Sequence, residues 1–265
     1  MTKRTIAGIA VLTAFGLTAC GGGGNKPAEN KEAAKPAEST PATPAAPAAD
    51  TANAGTITGK VSYTGAAPKL AKIKMDAEPS CAAKHSTQPM TQDVVLNGNG
   101  TLRYAIVYLK SGLPAGDFPV PSSPATLDQD GCEYHPHVLA VMAGQEIQIK
   151  NSDQTTHNIH PLPTQNREWN KSQPAGAEPL METFAREEIT IPVKCNVHPW
   201  MKAYIGVFKH PFFAVSGEDG TFTIQNVPPG EYTIEVWQEK LGAQEQKVTV
   251  GAKETKTVDF SYAGA

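Results

Sequence analysis

Residues 217–237, GEDGTFTIQNVPPGEYTIEVW, decide the fold class. Gly217-Glu218-Asp219-Gly220 is a turn, because Gly and Asp tolerate the backbone angles that turns require. Phe222 and Ile224 then alternate with polar residues, and Val227-Pro228-Pro229-Gly230 makes the next turn. Tyr232, Ile234 and Val236 follow at spacing two, so they share one face of a strand. Val248 with Val250, and Val258 with Phe260, continue the pattern. A period of two is that of strands half buried against a core.

Upstream the reading is the same. Thr56 to Tyr63 alternates and ends at Thr64-Gly65. Leu102 to Leu109 follows the turn Asn97-Gly98-Asn99-Gly100. Val138 to Val141 and Glu146 to Lys150 are separated by Ala143-Gly144, and Glu188 to Val193 and Ala203 to Phe208 flank Cys195. No window keeps helical periodicity over three turns. Many short strands between Gly/Pro turns predict an all-β protein built as a sandwich or barrel. The 217–237 stretch resembles the carboxypeptidase regulatory-like domain, a small transthyretin-like β-sandwich, and the resemblance implies a structural or adhesive module without catalysis. GTITGKVSYTG, residues 55–65, resembles the first strand of that module. One arrangement takes this first strand from Thr56 to Tyr63 and the remainder from beyond Phe212, with a second domain inserted between.

The chain opens with Met1-Thr2-Lys3-Arg4, then an apolar run from Ile6 to Leu17, then Leu17-Thr18-Ala19-Cys20. A basic start and an apolar run too short to span a bilayer predict a signal peptide. The ending resembles a bacterial lipobox, which implies cleavage before Cys20, lipidation of its thiol and attachment to a membrane through acyl chains. From Gly21 to Ala54 the composition turns to Gly, Ala, Pro, Glu, Lys and Thr without an aromatic residue, which predicts a disordered tether. Gly21 stands where some bacteria carry an inner-membrane retention aspartate, so the expected location is the cell envelope, on a periplasm-facing outer membrane or the cell surface. A formal net charge of −3 with no basic stripe argues against a nucleic-acid partner. With Cys20 lipidated, Cys81, Cys132 and Cys195 remain, an odd number in an oxidising compartment.

The chemistry sits in Lys194-Cys195-Asn196-Val197-His198-Pro199-Trp200-Met201 and, upstream, in Thr155-Thr156-His157-Asn158-Ile159-His160. One thiolate and two imidazoles, with a weak thioether, suit copper in both redox states. Cys-x2-His-x2-Met after His-Asn-x-His is similar to amicyanin, and more loosely to plastocyanin and pseudoazurin. GQEIQIKNSDQTTHNIH resembles the strand that delivers the first ligand, and CNVHPWM the ligand loop. The resemblance implies a cupredoxin Greek-key β-sandwich over roughly residues 138–208, with His157, Cys195, His198 and Met201 on a type 1 copper ion and Asn158 tying the two ligand segments together. It also implies that His198 offers an exposed edge for electrons, with Pro199 and Trp200 either forming an apolar docking patch beside it or, for Trp200, packing inward. Once Cys195 is committed to metal, Cys81 and Cys132 are the natural disulfide pair, although spacing alone permits the other pairings. Residues 167–179 are polar and irregular.

Other readings are weaker. Zinc seldom takes methionine, and the usual four-ligand Cys/His sets are missing. A c-type haem needs Cys-x-x-Cys-His, and a binuclear copper centre a second loop cysteine. Multicopper oxidases and copper nitrite reductases place a histidine beside the copper cysteine, whereas Lys194 and Asn196 flank Cys195. That points to electron transfer or copper binding and away from oxidase chemistry, and no enzyme is expected. His135-Pro136-His137 reads either as a second metal site or as two polar residues at a strand start. His160 is read as lying outside the ligand set, and His85 and His210 have no context.

The resulting expectation is a signal peptide (1–19), a lipid-anchored, disordered Ala/Pro-rich linker (20–54), an N-terminal β region that can contribute to the C-terminal sandwich (55–128), a cupredoxin domain (129–210) and a carboxypeptidase regulatory-like domain (211–265). The expected function is one-electron carriage between envelope redox partners such as a cytochrome or a dehydrogenase. The alternatives are copper handling without electron shuttling and a structural envelope module.

Overall fold

A computed structural model describes residues 51–264. The signal peptide, Cys20 and nearly all of the linker fall outside those residues. What is described is all-β, apart from a 3-10 turn at Thr51–Asn53 and one helical turn at Pro79–Ala82.

The alternating residues of the opening stretch form one sandwich. In its first sheet, Gly55–Thr64 lies between Thr221–Val227, which is antiparallel to it, and Thr255–Thr257, which is parallel. Phe260–Ala263 extends the parallel edge along the far half of the same strand. The second sheet runs Phe213–Val215, Ile106–Ser111, Gly230–Gln238, Gly242–Val250. Ile57, Val61, Phe222, Ile224, Tyr232, Ile234, Val236, Val248, Val250 and Phe260 are packed in one core between them. The N-terminal strand is therefore built into the sheet of the C-terminal strands. Ile106–Ser111 joins the same sandwich, which the arrangement with only one upstream strand did not include.

Gly59 shows how tightly that first strand is held. It pairs with Phe222, and a Cβ on it would land on the carbonyl of Val258. Gly59→Ala is expected to cost about 1–3 kcal/mol, since backbone must shift to admit the methyl. Thermal unfolding checks this, and an unchanged midpoint would contradict the packing.

The second sandwich carries the candidate site. One sheet has the order Lys171–Gln173, His157–Pro161, Glu188–Lys194, Lys202–Phe208, Val138–Met142, the last pair being parallel. The other has Leu180–Glu182, Ile147–Asn151, Ala125–Asp130, Glu133–His135. Leu127, Ile147, Ile149, Ile159, Ile191, Val193, Ala203 and Ile205 fill the space between them. Residues 167–179, read as irregular, contain Lys171–Gln173, which pairs with His157–Ile159 through backbone hydrogen bonds. Polar side chains hid that strand because it is an edge strand with only Gln173 buried.

The two sandwiches are joined by aromatic packing. Ile106, Tyr108, Val138 and Phe208 form a buried seam, with Tyr204, Phe213 and Trp237 against it. Ring centroids of Phe208 and Phe213 are 4.6 Å apart, and those of Tyr204 and Trp237 5.4 Å. Lys202–Phe208 thus reaches the site at one end and the seam at the other.

Candidate metal centre

His157 opens the strand His157–Pro161, and Cys195 follows directly on Glu188–Lys194. These strands are neighbours, with Lys194 paired to His160. The loop then turns back within seven residues: the Met201 N–H donates to the His198 carbonyl (2.9 Å), and the Cys195 N–H to the Met201 carbonyl (3.3 Å). His157 and His198 are fully buried, and Cys195 and Met201 nearly so.

Three donor atoms converge. One ligand atom each from His157, Cys195 and His198 lies within 4.8 Å of the others. His157 Nδ1 stands 2.9 Å from His198 Nδ1, and Cys195 Sγ 3.8 Å from His198 Nδ1. Two imidazole lone pairs at that separation need a proton or a cation between them. Cys195 Sγ also receives the backbone N–H groups of Asn158 (3.5 Å) and His198 (3.4 Å). Burial opposes a thiolate, but hydrogen bonds from His157, Asn158, His198 and Val197 outweigh it, and the thiol is held below its usual range.

Asn158 spans the two segments. Its Oδ1 accepts the backbone N–H groups of Asn196 (2.7 Å) and Val197 (3.3 Å), while its Nδ2 donates to Asn170. The Tyr134 hydroxyl donates to its carbonyl at 2.7 Å.

Asp153, which the sequence reading did not single out, orients His157. His157 Nε2–H donates to Asp153 Oδ2 (2.9 Å), which leaves Nδ1 turned to His198. The carboxylate in turn accepts the N–H groups of Gly131 (2.9 Å) and Cys132 (2.7 Å) and lies 3.3 Å from Lys84 Nζ. A carboxylate four residues before a candidate ligand was the available signal. The turn through Ser152–Thr156, which brings the two together, has no period to read.

Burial raises the Asp153 pKa, yet the hydrogen bonds from His157, Cys132, Gly131 and Lys84 bring it down to about 2. Burial likewise disfavours charged His157, yet Asp153, with Cys195 beside it, raises its pKa to about 8. Burial, and then the charge of His157, lower that of His198. The depressed Asp153 stabilises the metal-free fold above pH 3.8 and loses that contribution as pH falls through about 2. The raised His157 contributes fully below pH 6.5 and loses its contribution as pH rises through about 8. A metal at Nδ1 must displace a proton from charged His157, so metal affinity should climb as pH rises toward about 8. Asp153→Asn should lower metal affinity about 10–100-fold and flatten this dependence, as read by competition titration across pH.

Cys81 and Cys132 form a disulfide, and Cys195 is the free cysteine among the described residues. The disulfide lies against the site, with Cys81 Sγ 3.8 Å from His198 Nε2. Ile73 and Met75, from the segment that carries Cys81 and covers this side of the site, are buried in the core that contains Cys195 and Met201. The expected exposed edge of His198 is therefore absent, because this segment lies where that edge would meet solvent. Trp200 is half-buried and turned inward, its Nε1–H donating to the Cys132 carbonyl (3.1 Å), while Pro199 stays exposed.

The remaining histidines separate. His137 is buried, with Nδ1–H donating to the Lys202 carbonyl (3.1 Å) and Nε2 3.3 Å from Glu239. His135 is exposed on the Asp130 carbonyl, so the two do not converge. His160 lies between Asn196 and Glu168, outside the donor cluster. His85 donates to the Gly131 carbonyl, and His210 is buried, which lowers its pKa to about 4.

Residues 203–263 match the family model of the carboxypeptidase regulatory-like domain. The carboxypeptidase regulatory-like match starts inside the strand Lys202–Phe208 and covers the last strands of the first sandwich. Among solved structures, the chain is similar to the copper-containing nitrite reductase NirK from Thermus scotoductus SA-01, at 20% identity over 38% of this chain and 26% of the reductase, with TM-score 0.31. It thus spans about a quarter of that protein's length. It is also similar to a purple cupredoxin from Nitrosopumilus maritimus, at 19% identity over 31% of this chain and 98% of that one, with TM-score 0.27. A reduced amicyanin variant is similar at 20% identity over 38% and 97%, with TM-score 0.29. No curated protein matches the chain.

Proposed function

We propose that His157, Cys195 and His198, with Met201 as a weak fourth donor, hold a type 1 copper ion, and that the protein carries single electrons between redox partners in the cell envelope. The observation that carries this reading is the convergence of two imidazole nitrogens and one thiol in a fully buried pocket. The donor set fits the ion: a soft thiolate with two imidazoles suits copper, and hard, carboxylate-seeking ions do not suit it. Copper bound there would supply a one-electron couple. The protein's part is to hold the ligands still. Asp153 fixes the His157 tautomer, Asn158 pins the Cys195 loop, and backbone N–H groups favour the Cys195 thiolate. The lipid anchor at Cys20 would keep the centre at a membrane, and a cytochrome or a dehydrogenase is the class of partner proposed.

One observation favours a second reading, copper holding without rapid shuttling. His198 Nε2 meets Cys81 instead of solvent, so the short path to a docked partner is filled. Visible absorption and electron paramagnetic resonance of the Cu(II)-loaded full chain test the site: an intense thiolate band with narrow hyperfine splitting is expected, and a colourless protein overturns it. Electron self-exchange then separates the readings. Fast exchange supports the carrier, and slow exchange with copper released to a chelator supports the holder.

A further inference from the structure

We propose that Cys81 and Cys132, once reduced, form a second metal site that takes a soft, thiophilic cation such as Cu(I), with His198 Nε2 in reach as a third donor. The two sulfurs and the His198 nitrogen lie within 4.8 Å of one another, and all three residues are buried. Cys132 also stands within the same limit of donor atoms of Asp153 and His157. Donors therefore run without a gap from Cys195 through His198 to the sulfur pair.

The placement of His198 Nε2 is the second observation. Its one hydrogen-bonding neighbour among the described residues is Cys81 Sγ, at 3.8 Å. With Nδ1 turned to the first site, Nε2 carries a proton. A disulfide sulfur is a weak acceptor, whereas a buried N–H needs a good one. A thiolate supplies that acceptor, and a cation replaces the proton altogether. Two thiolates satisfy a cuprous ion, the softest of the common biological cations.

The chemistry balances. A dithiol reductant delivers two electrons and two protons; the Cys81–Cys132 bond breaks, two S–H bonds form, and the reductant leaves as its own disulfide. The cation then displaces the two thiol protons without changing oxidation state. If Nδ1 already holds a metal, entry of Nε2 releases one proton more. Access runs through the covering segment, residues 70–93, whose backbone order is one helical turn and one bridge, Lys72 to Met90, so it opens more readily than the sheets beneath it.

The two sites share His198, and the proton on its Nε2 rests on the Cys195 reading, but the test keeps the two distinct. The full chain is reduced with a phosphine, freed of it without air, checked by alkylation for two added thiols, and titrated with Cu(I) against a chelator. Reduced protein is expected to bind one Cu(I) more than oxidised protein. Reduced C195S should still bind one, with sulfur ligands in its X-ray absorption. Reduced C81S/C132S should show no increment. Equal stoichiometry for oxidised and reduced protein overturns the proposal, as does reduced C195S that binds none. Oxidised protein that binds no copper would count against the Cys195 site alone. The comparison of oxidised with reduced wild type does not depend on whether the serine variant folds.

Discussion

Cys195→Ser should abolish the intense thiolate-to-copper absorption and weaken copper binding by more than about a hundredfold, beyond what loss of a merely orienting neighbour costs. The serine hydroxyl does not ionise at neutral pH and is a hard donor, so it cannot replace the bond that selects copper. It can still accept the N–H groups of Asn158 and His198 that now point at the sulfur. The metal-free variant should therefore unfold near the wild-type midpoint. A visible band that survives the substitution would show that Cys195 is not a ligand.

The second large effect is on stability. The Cys81–Cys132 bond closes a loop with a sequence separation of 51 residues. Chain entropy alone then predicts that Cys81→Ser/Cys132→Ser costs about 4 kcal/mol. For a body of this size that is a fall in Tm of about 10 °C. Calorimetry on metal-free protein is the check, because bound copper would add its own stabilisation. A loss under about 1 kcal/mol would mean that the covering segment holds its place without the bond. The same variant should release copper faster, because water would gain the Nε2 side of His198.

Much of this was legible in the chain. Tyr232, Ile234 and Val236 announce a buried face, and all three are in the core. Thr233 and Glu235 are buried too, which alternation does not foresee. The opposite face is covered because the Tyr108 hydroxyl and Lys110 both reach the Glu235 carboxylate. The grouping of His157, Cys195 and His198 could be read because thiol and imidazole are rare and chemically specific. Leu102 to Leu109, read as one strand, breaks between Arg103 and Ile106, where Tyr104 takes a positive φ. The cover over His198 had no signature. Cys81 lies far from the ligand loop in sequence, and only the folded chain brings its sulfur to the imidazole.

The place of the first strand has a mechanical consequence. Gly55–Thr64 and Phe260–Ala263 run side by side in the same direction, Val61 beside Phe260 and Thr64 beside Ala263. A pull on the chain ahead of Gly55 and an opposite pull beyond Ala263 draw these strands past each other along their length. The hydrogen bonds between them are then loaded in shear and must yield together, whereas a hairpin pulled at its open end unzips one bond at a time. A protein held at one end and tugged at the other would meet that load in shear across this pair.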